Sequence, residues 1–192
     1  MVSDVLKCNG RKVAGIIDPG ITEGEIRYGI KVLGGEEVLQ QYVPEQIDLV
    51  NCIGFMPGND SRQLVSQGLK DAGFHFTTIC HPGAIVSEDV SLEEGVQVMA
   101  GVVIQPGVST GTQTIINSSA SIDHDCRIGE FCHIAPGVTV CGDCVIGDRV
   151  FVGAGTTIIQ GVCIGDDSVI GAGSLVRQDI PGGSTYFNRR TT

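Results

Sequence analysis

The segment Asp123-His124-Asp125, a histidine between two carboxylates, is the part of this sequence best suited to acid–base catalysis. A carboxylate beside an imidazole orients the ring and raises its basicity. A histidine held in this way can take the proton from an attacking amine or hydroxyl group, as a general base does. A second histidine, His133, follows nine residues later. Whether the two histidines can act together depends on where the fold places them.

A strict six-residue repeat runs from position 86 to position 176 and predicts the fold of that segment. Every sixth residue is Val, Ile or Leu, with Thr110 as the exception. Neither an α-helix, with a period of 3.6, nor a single strand, with a period of 2, gives a period of six. Short strands stacked in coils do, because each flat face must refill the same interior position. We therefore predict a three-sided parallel β-helix, the prism, with about 18 residues per coil.

A second inward position of the repeat holds small or β-branched residues, four residues after each aliphatic one. Cys126, Cys132 and Cys144 belong to this set, so we expect them to be buried core residues and not part of a disulfide scaffold or zinc site. His124 and His133 belong to neither inward set and should point outward. Because they are half a coil apart, they lie on different faces of one chain. They can converge only if another subunit brings its face alongside.

Composition argues against several classes of function. The chain has 12 basic and 22 acidic residues, a formal net charge of −10, and no basic run, which argues against sequence-independent binding to nucleic acid. No apolar stretch reaches the roughly 18 to 20 residues of a membrane span, and the N-terminus lacks the pattern of a secretory signal. We therefore expect a cytoplasmic protein with no nucleic-acid partner, no membrane span and no metal site.

The first part of the chain lacks the repeat and favours a small α/β domain. Strand-like runs at 12–17, 29–35 and 48–54 alternate with helical patterns at 36–41 and 60–73. Strands that alternate with helices predict a parallel α/β unit packed before the prism. We place the α/β domain at 1–80, the prism at 81–180 and a C-terminal tail at 181–192.

Three segments carry a resemblance to a known family: 81–84 (His-Pro-Gly-Ala), 117–126 (Asn-Ser-Ser-Ala-Ser-Ile-Asp-His-Asp-Cys) and 133–137 (His-Ile-Ala-Pro-Gly). Together with the domain order, they resemble the sialic-acid O-acetyltransferase-like family of hexapeptide-repeat acyltransferases. That family includes N-acetyltransferases of nucleotide-linked 4-amino sugars. The resemblance implies a left-handed β-helix and a Rossmann-like N-terminal domain that holds a sugar nucleotide.

This chain departs from the family pattern at both ends. The family domain normally opens with a strand and a Gly-Gly-His loop, whereas this chain starts at Met1 in what looks like the first helix. We therefore expect the Rossmann-like domain of this sequence to be incomplete, either because its start is misassigned or trimmed, which we favour, or because the protein lacks that part of its acceptor site. The ending, 186–192, also differs from the Gly-Asn-Pro-Ala that is usual in the family.

The resemblance implies roles for residues of the prism in acetyl transfer from acetyl-CoA. His124 and Asp125 match the family's general base and its acidic partner. His133 matches a residue that contacts the acetyl group. Gly142 matches a position whose backbone N–H meets the thioester oxygen and its developing negative charge. By the same comparison we expect a homotrimer, with active sites between subunits and a part in glycan biosynthesis.

Further matches imply binding positions outside the catalytic pair. Asn117 matches a polar residue that lines the site, and the backbones of Ala154 and Ala172 match the wall of the pantetheine groove. Asp18 and Gly54 match contacts to the nucleotide of the acceptor. Asp18 also opens an Asp-Pro-Gly segment that is typical of a strand-ending turn, so both interpretations stay open.

Several functions stay open at this stage. We favour N-acetylation of a 4-amino sugar, with O-acetylation of a sialic acid or a related sugar as the close alternative. A metal-dependent hydratase of the carbonic-anhydrase type uses a similar prism, but its zinc site needs three converging histidines and this prism offers two. A non-catalytic member that has lost its acceptor site is the remaining alternative.

Overall fold

A computed structural model describes residues 1–188, and its N-terminal region is a small α/β unit made of short elements. It contains helices α1 (Val2–Cys8) and α2 (Ser61–Asp71), two 3-10 helices (Glu36–Gln41 and Pro44–Gln46), and strands β1 (Ile16–Ile17), β2 (Ile26–Arg27), β3 (Ile30–Gly34), β4 (Asp48–Leu49) and β5 (His75–Phe76). Strand β3 pairs in parallel with β1 and antiparallel with β2, while β4 pairs in parallel with β5. The predicted α/β unit is present, but it has two separate small sheets in place of one continuous sheet.

The rest of the described chain is the predicted prism of two-residue strands. Its seven-stranded face contains β6 (Ile79–Cys80), β9 (Gln97–Val98), β12 (Ile115–Ile116), β15 (His133–Ile134), β18 (Phe151–Val152), β21 (Val169–Ile170) and β23 (Thr185–Tyr186). All of its pairings are parallel. Successive strands of the chain lie on successive faces, so the same face returns once per coil.

Two further faces complete the prism. The six-stranded face contains β7 (Ile85–Val86), β10 (Val103–Ile104), β13 (Ser121–Ile122), β16 (Thr139–Val140), β19 (Thr157–Ile158) and β22 (Leu175–Val176). The five-stranded face contains β8 (Ser91–Leu92), β11 (Ser109–Thr110), β14 (Arg127–Ile128), β17 (Val145–Ile146) and β20 (Cys163–Ile164). The repeat residue ends each of these strands and points inward; it is aliphatic in all of them except β11, where it is Thr110.

The interior contains one continuous apolar core built from the two inward sets. The three predicted core cysteines, Cys126, Cys132 and Cys144, are buried in it and are free thiols. Thr110, the exception in the repeat, is buried in the same way, and its hydroxyl has no hydrogen-bond partner among residues 1–188. The repeat therefore holds its register even where one side chain is polar.

The N-terminal region packs on the seven-stranded face, which we call the covered face. Gln97 points outward from this face but is 2% exposed, and its Nε2 donates to the carbonyl oxygen of Asn51 at 2.6 Å. Val5 of α1 and Met99 form a small apolar cluster with Ile79. The six- and five-stranded faces, which we call the bare faces, have no such cover from residues 1–188. Ile85, Val145 and Leu175, which point outward from them, are 70%, 39% and 37% exposed.

The prism extends past both of its predicted bounds. Strand β6 begins at Ile79, before the predicted start at 81, and β23 ends at Tyr186, inside the predicted tail 181–192. They are the two terminal strands of the covered face: β6 pairs in parallel with β9, and β23 pairs in parallel with β21. In a stacked repeat, each coil can add one more strand to the face. Residues 189–192 of that predicted tail lie outside the described residues. None of the helices in 1–188 is long and apolar enough to cross a membrane.

Candidate active site

His124 lies in the turn between β13 and β14, at the corner where the two bare faces meet. Its Nδ1 is 2.8 Å from Oδ2 of Asp125, and its backbone N–H donates to Oδ1 of Asp123 at 2.8 Å. About half of the His124 side chain is exposed. The hydrogen bond to Asp125, followed by the charges of nearby aspartates, raises the pKa of His124 above its ordinary value. When Nδ1–H donates to Asp125, the neutral ring keeps Nε2 as a free base.

Two glycines in neighbouring coils make room for this pair. A Cβ at Gly142 would stand 2.6 Å from Nε2 of His124, and a Cβ at Gly107 would stand 2.5 Å from Oδ1 of Asp125. A side chain at either position would displace the imidazole or the carboxylate. The backbone N–H of Gly142 donates no hydrogen bond within residues 1–188 and is therefore free to donate to a ligand.

Asp125 adopts a backbone conformation that few side chains tolerate. Its φ is +60°, in the left-handed region that favours glycine, and the matching corner residue one coil earlier is Gly107 with φ +76°. A glycine at 125 would fit this turn without strain but could not bind the imidazole. The hydrogen bond to His124 gives a chemical reason for an aspartate at this place.

His133, the second candidate, has the opposite environment. It lies on the covered face beside Phe151, with ring centroids 5.4 Å apart, and the Phe55 ring packs against both, 6.0 Å from His133 and 5.6 Å from Phe151. Burial, and then the positive charge of Arg62, lower the pKa of His133 to about 4. The ring is therefore neutral near pH 7. Nδ2 of Asn117 stands 3.4 Å from its Nε2, while its Nδ1 is buried and has no hydrogen-bond partner within residues 1–188.

The predicted coenzyme groove follows a different corner of the prism. Ala154 and Ala172 are exposed in successive coils, at the corner between the covered face and the six-stranded face, and Asn117 lies at the same corner. Gly155 and Gly173 follow the two alanines, and a Cβ at either glycine would meet nothing within 4 Å. This corner therefore presents backbone and small side chains, as a groove for a slender ligand requires.

The two predicted acceptor contacts follow strands of the N-terminal region. Asp18 comes directly after β1, and its Oδ1 accepts a hydrogen bond from the N–H of Gly20 at 2.9 Å, so the carboxylate closes the turn that the sequence also allowed. Gly54 is exposed in the loop after β4 and immediately precedes Phe55. The structure thus connects Gly54 to the surroundings of His133, but it does not do so for Asp18.

Five of the candidate residues fall into two groups in one chain. The corner group contains His124, Asp125 and Gly142, and the covered-face group contains Asn117 and His133. No hydrogen bond or ring contact joins the two groups within residues 1–188. This agrees with the expectation that half a coil separates the two histidines.

Sequence reasoning missed several neighbours of these groups. The contact between Gly107 and Asp125 could have been predicted, because Gly107 precedes Asp125 by one full coil in a regular repeat. The same holds for Phe151, since it follows His133 by one coil on the same face. Phe55 and Arg62 gave no such signal, because their contacts arise only when the N-terminal region packs on the prism.

Residues 1–188 contain no group of three or more His, Cys, Asp or Glu side chains placed to hold a metal ion. The cysteines of the predicted core donate instead to backbone carbonyl oxygens. Cys126 donates to Cys141 at 3.2 Å, and Cys144 donates to Ile159 at 3.2 Å. Of the Cys-x-x-Cys pair at 141–144, Cys144 is buried in the core and Cys141 is half-buried outside it.

Known proteins share both the repeat and the architecture. The sequence profile of the family described as "Bacterial transferase hexapeptide (six repeats)" matches residues 143–178. A mutant of perosamine N-acetyltransferase from Caulobacter crescentus, solved in complex with CoA and GDP-perosamine, is 36% identical, with 96% of this chain and 86% of that chain covered and a TM-score of 0.86. The acetyltransferase domain of PglB from Neisseria gonorrhoeae, solved with acetyl coenzyme A, is 30% identical, with 96% and 88% covered and a TM-score of 0.88.

A more distant structure agrees on the fold. WeeI from Acinetobacter baumannii is 20% identical, with 96% of this chain and 89% of that chain covered and a TM-score of 0.79, which shows the fold alone. The predicted combination of an α/β region and a left-handed parallel β-helix is thereby confirmed. With identities of 30% or more over most of both chains, this protein is a hexapeptide-repeat acyltransferase and belongs to the family of nucleotide-sugar amino N-acetyltransferases.

Proposed function

We propose that this protein transfers the acetyl group of acetyl-CoA to the 4-amino group of a nucleotide-linked amino sugar. The observation that carries the proposal is the His124–Asp125 hydrogen bond at 2.8 Å, which leaves Nε2 of a half-exposed imidazole free to act as a base. The comparisons support the choice of substrates. The perosamine N-acetyltransferase structure holds CoA and GDP-perosamine, and the PglB domain holds acetyl coenzyme A.

In the proposed reaction, His124 moves one proton twice. Its Nε2 takes a proton from the amine as the amine nitrogen attacks the thioester carbonyl and the new C–N bond forms. When the tetrahedral intermediate collapses and the C–S bond breaks, the imidazolium gives the proton to the departing thiolate. Asp125 keeps its hydrogen bond to Nδ1 and stabilises the imidazolium between the two steps. The free N–H of Gly142 would donate to the oxyanion.

The remaining candidate residues are proposed to bind the substrates. Ala154 and Ala172 would line the pantetheine groove with backbone, and Asn117 and His133 would border the acetyl group. Gly54 and Asp18 would contact the nucleotide of the acceptor. The exposed, backbone-rich corner at Ala154 and Ala172 supports the first of these assignments.

A homotrimer would complete the site. The corner group lies where the two bare faces meet, and those faces carry Ile85, Val145 and Leu175 as exposed apolar side chains. Three prisms packed through these faces would cover the apolar side chains and bring His133 of one chain towards His124 of another.

Mixing the His124→Ala and His133→Gln variants tests the shared site directly. Mixed trimers would recover part of the activity that each variant lacks, whereas a site within one chain would recover none. The cytoplasmic location expected from the sequence stays a prediction.

The test of function is thiol release from acetyl-CoA with a panel of nucleotide-linked amino sugars. We expect turnover on 4-amino sugars and a loss of about 10² to 10⁴-fold in the His124→Ala variant. His75→Ala is the matched control, because His75 is also an exposed histidine near a carboxylate, 3.9 Å from Glu94, and lies away from the corner. Turnover only on sugar hydroxyls would show O-acetylation instead. A His124→Ala variant with wild-type activity would refute the assignment of the base.

A further inference from the structure

Five polar side chains are buried between the N-terminal region and the covered face, and the proposed reaction uses none of them. They are Asn51, Arg62, Ser66, Gln97 and Gln113, each between 2% and 6% exposed. Burying polar groups is costly unless they are hydrogen-bonded, and these are. Nδ2 of Asn51 donates to Oγ of Ser66 at 2.7 Å, for example. We call this cluster the Arg62 network.

The guanidinium of Arg62 joins both sides of the network. Its Nη1 donates to the carbonyl oxygens of Asn51 at 2.9 Å and Ile53 at 2.7 Å. Its Nη2 and Nε donate to the carbonyl oxygen of Gln113 at 3.1 and 3.3 Å. Arg62 makes no ion pair within residues 1–188, and its N–H groups donate to carbonyl oxygens, whose dipoles offset its charge. Burial lowers its pKa to about 10, and it stays protonated near pH 7.

The network connects a loop to the face that carries His133. On the loop side, the N–H of Ile53 donates to Oδ1 of Asn51 at 2.9 Å, and the chain then reaches Phe55, whose ring contacts His133. On the prism side, Gln113 precedes Ile115, which pairs in register with His133. The planar guanidinium holds five N–H donors in a fixed fork that reaches both sides at once, whereas a lysine ammonium is a single point charge with three donors and no fork.

We propose that Arg62 is a positioning residue, which clamps the loop 51–55 onto the covered face so that Phe55 covers His133 and fixes its ring. The catalytic consequence rests on the proposed function, because His133 is there a neighbour of the acetyl group. The positional claim concerns the resting protein and needs no substrate. A cleft of about 220 Å³, lined in part by Phe55 and Arg62, opens beside the loop, so the loop has space into which it can move once released.

Arg62→Lys is the main test, because it keeps the charge and removes the fork. We expect the released loop to expose His133, so that the pKa of His133 rises from about 4 towards its ordinary value. Arg62 is the charged group that lowers the pKa of His133, while Ile115, Asn117, Phe55 and Phe151 do not titrate. Asp60, Arg149 and Asp167 line the cleft beside the loop and are the same in wild type and variant. NMR titration of the imidazole, assigned with His133→Gln, measures this rise. In the same variant we expect kcat/KM for the acceptor to fall by about 10 to 100-fold.

Lys70→Met is the matched control on the same helix. Lys70 is exposed and pairs with Glu94 at 3.2 Å, away from the loop. We expect this change to leave both the His133 titration and kcat/KM within about twofold of wild type. Arg62→Met removes charge and fork together and should raise the pKa of His133 further than Arg62→Lys does. If Arg62→Met does not fold, Arg62→Lys decides the question alone.

Two results would overturn the proposal. One is a folded Arg62→Lys protein with an unchanged His133 titration and unchanged kcat/KM. The other is an equal loss of activity in Arg62→Lys and Lys70→Met, which would indicate a general loss of stability. If the wild-type protein transfers no acetyl group to any acceptor, the proposed function fails. The His133 titration in Arg62→Lys still decides the positional claim in that case.

Discussion

His124 and His133 belong to one repeat, point outward from one prism, and have opposite environments. His124 lies at an uncovered corner, where Asp125 binds its Nδ1 and raises its pKa. His133 lies under Phe55 on the covered face, where burial and Arg62 lower its pKa to about 4. The repeat gives both side chains the same outward direction. What differs is the structure that lies over each face.

This difference suggests which histidine can act as the base. A general base must lose and regain a proton near neutral pH, which an exposed, carboxylate-paired imidazole can do. A half-buried imidazole with a pKa of about 4 stays neutral and suits a fixed neighbour of an uncharged group. The following changes should either remove this contrast or make it sharper.

The largest effect is expected from Gly142→Ala. The new Cβ would stand 2.6 Å from Nε2 of His124, so the ring must leave its place beside Asp125. We expect kcat/KM to fall by about 10²-fold or more, because small displacements of a reacting group are costly. Gly68→Ala is the control, since a Cβ at Gly68 meets nothing within 4 Å. Wild-type activity in Gly142→Ala would show that the observed ring position is not the working one.

A smaller effect is expected from Asp125→Asn. Without the carboxylate, the pKa of His124 falls towards its ordinary value, because the hydrogen bond to Asp125 is the main cause of its rise. A less basic imidazole stays neutral to lower pH, so the acid limb of the pH–rate profile moves to lower pH. We expect kcat to fall by about 10 to 100-fold. In Asp143→Asn, which removes a more distant charge at the same corner, an equal shift would contradict the special role of Asp125.

The two histidines should also differ in how they couple pH to stability. Since the folded pKa of His133 lies below the ordinary value, folding favours its neutral form. Its stabilising contribution is therefore complete above about pH 6.5 and is lost as the pH falls towards about 4. We expect the Tm of the wild type to fall more steeply between pH 6.5 and 5 than that of His133→Gln. Equal slopes would mean that His133 is not held neutral by the fold.

The smallest effect is expected from Phe55→Ala. Removing this ring admits water to His133 while the charge of Arg62 remains, so the pKa of His133 should rise only part of the way to its ordinary value. NMR titration measures the change. Phe187→Ala removes an exposed ring that packs on Gly171, and should leave the titration of His133 unchanged. A rise in both variants would point to a global loosening.

The prism was predictable because its information is local and periodic. Each aliphatic residue of the repeat, such as Ile122 or Ile134, ends a strand and enters the core. The N-terminal strands were harder to predict. The pattern at 48–54 suggested a longer strand, yet β4 ends at Leu49, because Asn51 and Ile53 bind Arg62 and Gln97 in place of a neighbouring strand.

The corner group was predictable for a similar reason. His124 and Asp125 are adjacent in sequence, and Gly142 follows His124 by one coil, so a regular repeat brings them together. Phe55 belongs to the N-terminal region and lies far from His133 in the sequence. Nothing in the local pattern of either residue predicts that their rings meet.

The three-sided coil, the outward direction of both histidines and the pairing of His124 with a carboxylate follow from local sequence. Each of these depends on residues that are neighbours in the chain or one repeat apart, where backbone geometry leaves little freedom. Which face is covered, and with it the neutral state of His133 and the contacts of Arg62, depends on tertiary packing. Burial and charge at those positions arise where the N-terminal region packs on the prism. The free energy of that packing depends on apolar area and charges contributed by residues far apart in the sequence, so no local pattern predicts it.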